Sequence, residues 1–185
     1  MGSSKTANLL MVRYNYIERG QKVVLLKPRL ENRDGDKSIK SRIGIEGECE
    51  YAEEFLKDLE DKSSEEIKSM GLSAILVDEA QFLSTEDIDK LAKIVDNYNI
   101  PIMCYGLRTD FTGKLFEGSK RLMELADVIE EIPTICWCGR RAEFNARYNK
   151  EGIIRKGKQV VLGANDRYVA LCRKHFFEGR LSGKA

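Results

Sequence analysis

Hydrophobic positions along this chain switch between short solid runs and helical stripes. The clearest run is Leu72–Val77, in which Leu72, Ala74, Ile75, Leu76 and Val77 crowd together over a length too short for a buried helix. That pattern predicts a strand buried on both faces of a parallel sheet. It ends in two adjacent carboxylates, Asp78 and Glu79, and open α/β sheets bind ligands at the carboxyl ends of their strands. Lys22–Lys27, closed by Pro28, reads as a second strand, residues 100–107, with Pro101 at the start, as a third, and residues 128–132 as a last one.

Helical spacing fills the intervals. Ala7, Leu10, Met11, Tyr14 and Ile17 form a stripe that Gly20 stops, and Ala52, Phe55, Leu56 and Leu59 form another. Ser84-Thr85-Glu86-Asp87 reads as an N-cap with an acidic first turn, opening a helix that turns Ile88, Leu91, Ala92 and Val95 inward and ends near Asn97. Residues 119–126 read as one more helix. Residues 28–47 are charged and glycine-containing, which predicts a long mobile loop, and residues 108–119, with Phe111 among glycines and charges, predict a lid. Strands alternating with helices give a right-handed parallel α/β sheet.

At 185 residues the chain can bury a full core. Its 31 Lys and Arg nearly cancel 30 Asp and Glu, so no global field argues for a polyanionic or cationic partner. The sequence lacks an 18-residue apolar run and a signal-peptide core, which predicts a cytoplasmic protein. Five cysteines in a reducing compartment are expected to be thiols or metal ligands rather than disulfides.

Two clusters carry chemistry. Gly2-Ser-Ser-Lys5-Thr6 fits the tail of a phosphate-binding loop, with Ser4 where the second glycine usually stands; Met-Gly-x-x-x-Ser/Thr also fits a myristoylation pattern. The helical stripe that follows favours the loop. Small residues, a Lys and a hydroxyl opening a helix place N–H groups and the helix dipole where phosphate binds, with Lys5 toward the β/γ-phosphates and the Thr6 hydroxyl toward Mg²⁺. Such a loop hangs from a strand, and here the preceding strand and first glycine are missing, so either the gene product starts upstream of Met1 or the site is incomplete. Downstream of Pro133, Cys136, Cys138, Cys172 and His175 form a Cys3His set in two tight pairs, suited to tetrahedral Zn²⁺. With all four positions filled by protein, the site would fold its domain rather than catalyse. Cys49 and Cys104 fall outside it and read as core or surface residues.

Taken with Asp78-Glu79-Ala80-Gln81-Phe82, Phe111 and residues 163–168 (Gly-Ala-Asn-Asp-Arg-Tyr) ahead of Cys172-Arg-Lys-His175, the chain resembles the zinc-containing (type II) thymidine kinase family, from Met1 to about Phe177. The resemblance implies a P-loop (RecA-like) parallel α/β sheet flanked by helices over residues 1–132, and a small zinc-ribbon and lasso domain over 133–185. It implies transfer of the γ-phosphoryl of ATP to the 5′-hydroxyl of thymidine or deoxyuridine in nucleotide salvage, by a homotetramer inhibited by dTTP. Gly2, Ser3, Ser4, Lys5, Thr6, Arg33, Asp78 and Gln81 would face the nucleotide, Asp78 serving Mg²⁺ and Glu79 accepting the 5′-hydroxyl proton. Met1, Phe82, Leu107 and Phe111 would surround the nucleoside. Gln159, Val160, Val161, Leu162, Gly163 and Tyr168 would form the lasso around the base. Three departures stand out: Ser4 for glycine, Glu31-Asn32 ahead of Arg33 for Asp-Thr, and Gly163-Ala164 for Gly-Gly.

Two other classes compete. One is a nucleic-acid-binding zinc ribbon, suggested by Arg140, Arg141, Arg147, Arg155, Lys156, Lys158, Arg167, Arg173 and Lys174. Its weakness is a thin set of aromatic stacking platforms. The other is a RecA-type ATPase, which would leave Phe82, Phe111 and the lasso unexplained.

Overall fold

The structure, a computed structural model, describes residues 4–31, 37–159 and 167–183. The chain divides into two compact units, one of residues 4–107 and 117–127, the other built from 108–116 and the chain beyond 128.

The first unit is organised by β5 (Leu72–Val77). It lies between β1 (Lys22–Lys27) and β6 (Ile102–Cys104), with β4 (Glu50–Tyr51) beyond β1, all parallel, in the order β4-β1-β5-β6. The solid apolar run follows from this central place, since both faces are covered. Ile75 and Val77 pack with α2 (Ala52–Glu60) and α4 (Thr85–Tyr98) through Phe55, Leu56, Leu59, Ile88, Leu91 and Ile94. Leu76, pointing the opposite way, packs with Leu25 and with Leu9 and Leu10 of α1 (Lys5–Glu18). The expected cap of α4 forms as a full capping box between Ser84 and Asp87.

Several expectations change. The α1 stripe is present, but only Ala7, Leu9 and Leu10 are buried; Met11, Tyr14 and Ile17 are 52%, 62% and 45% exposed. A helical period reports a face, not whether a partner runs its whole length. The stretch expected as a loop over 28–47 holds an antiparallel hairpin, β2 (Ser38–Lys40) with β3 (Glu46–Glu48). Its one apolar anchor, Ile39, reaches the Leu10–Leu25 cluster, and a single buried residue among charges leaves almost no period to read. The third strand is shorter than 100–107: past Cys104 the Tyr105 carbonyl turns to accept the Ala80 N–H at 2.9 Å and the ladder ends. Lys27, a charge inside an apolar run, is 1% exposed, its Nζ donating to the Ser38 carbonyl at 2.9 Å. The short α3 (Ser64–Ser69), capped by Ser63 and Glu66, carried no recognised stripe, while α5 (Glu117–Leu125) starts two residues earlier than expected.

In the second unit β7 (Phe144–Asn149) pairs antiparallel with β8 (Gly152–Ile153) and β9 (Arg167–Leu171), followed by α6 (Arg173–Glu178). Its core is small: Cys136, Ala142, Ala146, Leu171, Cys172 and Phe176, with Phe144 stacked on Phe176 at 4.5 Å. The strand expected over 128–132 is absent; Val128 and Ile129 are 74% and 63% exposed, and no described strand pairs with them. Gln159, the first residue read as lasso, lies in a bend, and 160–163 fall outside the described residues.

Candidate active site and metal cluster

At the carboxyl end of β5 the backbone delivers Asp78 and Glu79 in sequence but into different surroundings. Asp78 is 4% exposed. Its Oδ2 accepts from the Thr6 hydroxyl at 2.9 Å and its Oδ1 from the Glu79 N–H at 3.0 Å. Burial, then the Glu79 charge, push its carboxyl up to about 6; the Thr6 and Glu79 hydrogen bonds and the Lys5 charge pull the other way without winning. Thr6 reaches it from the first turn of α1. Ser4 caps that helix at φ −72°, so the serine occupies the glycine position of the motif without strain. The first turn holds no acidic residue and Ser4 makes no side-chain cap bond. The positive end of a 14-residue dipole and its N–H groups thus suit an anion.

Glu79 adopts the left-handed conformation, φ 49° and ψ 35°, which a residue with a Cβ rarely takes. A brace holds it there. The Gln81 amide donates through Nε2 to the Glu79 carboxylate, while its Oε1 accepts from the Leu107 N–H at 3.0 Å. Gly106 makes room, since a Cβ there would stand 2.7 Å from that Oε1. Gln81, which the resemblance places on the nucleotide, therefore has both ends of its amide engaged by protein. Phe82 closes the turn half-buried, and Leu107 is half-buried beyond Gly106. The brace had no sequence signal beyond Gln81 itself, because Gly106 and the Leu107 N–H meet it only through the parallel pairing of β5 with β6.

In the second unit the Phe111 ring lies under the Arg147 guanidinium, 5.1 Å from its centroid, and Tyr168 faces Arg147 across β7 and β9. Met1, Gly2, Ser3, Arg33, Val160, Val161, Leu162 and Gly163 lie outside the described residues.

Cys136, Cys138, Cys172 and His175 converge as their spacing predicts, all four ligand atoms within 4.8 Å of one another. The His175 Nδ1 is 3.4 Å from the Cys136 Sγ and 3.6 Å from the Cys172 Sγ, and the Cys138 and Cys172 sulfurs are 4.0 Å apart. A tetrahedral zinc with thiolate and imidazole ligands would set such atoms about 3.5–3.8 Å apart, so the donor set could hold that ion. Burial would raise the Cys136 thiol, but the N–H groups of Cys138 and Cys172, with His175, outweigh it and hold it near about 6. At Cys138 the Arg140 N–H works downward, but burial and the two neighbouring thiols prevail and the thiol is raised. Trp137 stacks on the His175 ring at 4.1 Å and 12°, fixing its plane.

The family model for thymidine kinase matches residues 1–176. The chain belongs to the thymidine kinase family. It is 45% identical over 179 residues to the thymidine kinase of Novosphingobium aromaticivorans, covering 96% of this chain and 93% of that one. It is 44% identical over 179 residues to that of Enterobacteria phage T4, covering 96% and 92%. With the thymidine kinase of Coxiella burnetii it shares 43% over 184 residues, covering 97% and 92%. Membership makes the chain a kinase using ATP and disfavours the nucleic-acid and ATPase readings. No helix among the described residues is long and apolar enough to cross a membrane.

Two outcomes follow from this geometry. A carboxyl group raised in the fold contributes stability below its ordinary range, near pH 4, and loses it as pH rises toward 6. In magnesium-free buffer, Asp78→Asn should therefore be more stable than the parent at pH 7.5, by about 1–3 kcal/mol in urea unfolding, with no advantage at pH 4. Lower stability of the variant at pH 7.5 would contradict the assignment. Second, Cys172→Ser should reduce bound zinc from about one per chain to near zero by elemental analysis. Chelation of the parent should shift the emission of Trp137, the only tryptophan.

Proposed function

We propose that this chain transfers the γ-phosphoryl group of ATP to the 5′-hydroxyl of thymidine or deoxyuridine, giving the monophosphate and ADP in nucleotide salvage. The observation that carries the reading is the contact of Thr6 with Asp78, which brings a phosphate-loop hydroxyl and a strand-end carboxylate to one point beside Glu79. Phosphoryl transfer asks mainly for positioning and charge neutralisation. Gly2, Ser3, Ser4, Lys5 and the α1 N-terminus would hold the phosphates, with Arg33 adding charge. Thr6 and Asp78 form an oxygen donor pair of the kind Mg²⁺ takes, and when bound that ion would neutralise phosphate charge. Glu79, kept in place by Gln81, would accept the 5′-hydroxyl proton as that oxygen bonds to the γ-phosphorus and the β–γ bridge oxygen departs with ADP.

On the first unit the reading assigns Phe82 and Leu107 to the nucleoside; it adds Met1, which lies outside the described residues. On the second it assigns Phe111, Tyr168 and the lasso from Gln159 through Val160, Val161 and Leu162 to Gly163. The Cys3His cluster would hold a structural zinc that pins the segment carrying the lasso. The division into a nucleotide domain over 1–132 and a lasso domain over 133–185, a homotetramer, inhibition by dTTP and a cytoplasmic location belong to the same reading.

The test is thymidine phosphorylation by the purified chain beside Glu79→Gln. The amide keeps the shape but cannot take a proton, so kcat should fall by about 10²–10⁴-fold while ATP still binds. Full turnover in Glu79→Gln would remove Glu79 as the base.

A further inference from the structure

The segment Arg108–Phe116 has no helix or strand of its own, yet it is closely tied, and one side chain does the tying. Asp110 is 7% exposed. Its Oδ1 accepts from the Thr112 N–H at 2.8 Å, the Thr112 hydroxyl at 2.7 Å and the Lys114 N–H at 3.1 Å. The backbone closes around it: the Asp110 N–H donates to the Lys114 carbonyl at 2.8 Å, and Thr109 bridges Leu115. Gly113, at φ +87°, completes the turn, where a Cβ would meet the Phe144 ring at 3.3 Å. The carboxylate thus fixes the turn that carries Phe111.

Its second oxygen reaches elsewhere. Oδ2 accepts from Gln159 Nε2 at 3.0 Å, a bond across 49 residues. With Oδ2 accepting, the Gln159 amide turns its NH₂ toward Asp110, which leaves its Oε1 as the outward acceptor. Gln159 is also the residue directly ahead of 160–163. One buried carboxylate therefore joins the two segments assigned to the nucleobase, the Phe111 turn by Oδ1 and the root of the lasso by Oδ2.

We propose that Asp110 is the positioning residue of the nucleoside site, setting the Phe111 turn and the Gln159 end of the lasso in one mutual register. It acts through those residues and touches neither phosphate nor the reacting oxygen. The proposal rests on the reading that assigns Phe111 and Gln159 to the nucleoside.

The test is steady-state kinetics of the full chain with thymidine and ATP varied separately. Asp110→Ala should raise the thymidine KM at least tenfold, with the ATP KM within about twofold and kcat within about threefold, a split that general loosening of the fold would not give. Asp110→Asn keeps an acceptor for Thr112 and Lys114 and offers Gln159 a donor to which its amide can rotate. It should return the thymidine KM to within about threefold of the parent and serves where the alanine variant folds poorly. Because the two act as a unit, Asp110→Ala with Gln159→Ala should be no worse than the more severe single variant. A thymidine KM raised by Gln159→Ala but not by Asp110→Ala would overturn the proposal alone, as would effects that multiply in the double variant. A KM unmoved by both Phe111→Ala and Gln159→Ala would overturn the site reading and the proposal with it.

Discussion

The hydrogen bond from the Thr6 hydroxyl to Asp78 joins residues 72 positions apart, and most of what the first unit does depends on it. It fixes the start of α1 against the end of β5, so the first turn of the helix and the strand-end carboxylate lie side by side. It also requires a carboxylate to be buried, and burial holds Asp78 up at about 6 in the free protein. Under the proposed function this cost has a use, since a negative, oxygen-rich point is what a phosphate-bound cation needs. Glu79 sits one residue on in a left-handed conformation, and the Gln81 brace to the Leu107 N–H is what keeps it there. Two adjacent carboxylates are thus set in different surroundings.

The second unit meets a different constraint. Among its described residues the buried cluster around the cysteines is small, with Leu171, Phe176 and two alanines, and small domains gain little stability from hydrophobic burial alone. Four convergent ligand atoms could hold a metal ion there, and under the proposed function that ion would supply what the core lacks, since metal binding free energy in such sites is folding free energy. Trp137 stacked on His175 and Phe144 on Phe176 extend the same economy by packing rings onto the cluster and its helix. The anchored turn at Asp110 belongs to this unit, and a buried carboxylate holds it from within.

What was legible from sequence followed from strong local rules. A solid apolar run gave β5, the serine–aspartate pair gave the α4 cap, and the cysteine spacing gave the cluster. What was not legible needed partners far along the chain. Met11, Tyr14 and Ile17 are periodic yet exposed, β2 and β3 bury one apolar side chain, Ile39, and residues 128–132 look strand-like but have no described strand to pair with. The Gln81 and Asp110 bonds join segments 26 and 49 residues apart, and no local pattern marks them.

Under the proposed function, phosphoryl transfer is a single in-line displacement in which Glu79 takes the proton rather than forming a bond to phosphorus. Its most direct test uses ATP made chiral at the γ-phosphorus and reads the configuration of the thymidine monophosphate produced. One displacement inverts the centre, and inversion is the result expected here. Retention would mean two displacements through a phosphorylated side chain, and would contradict the role given to Glu79.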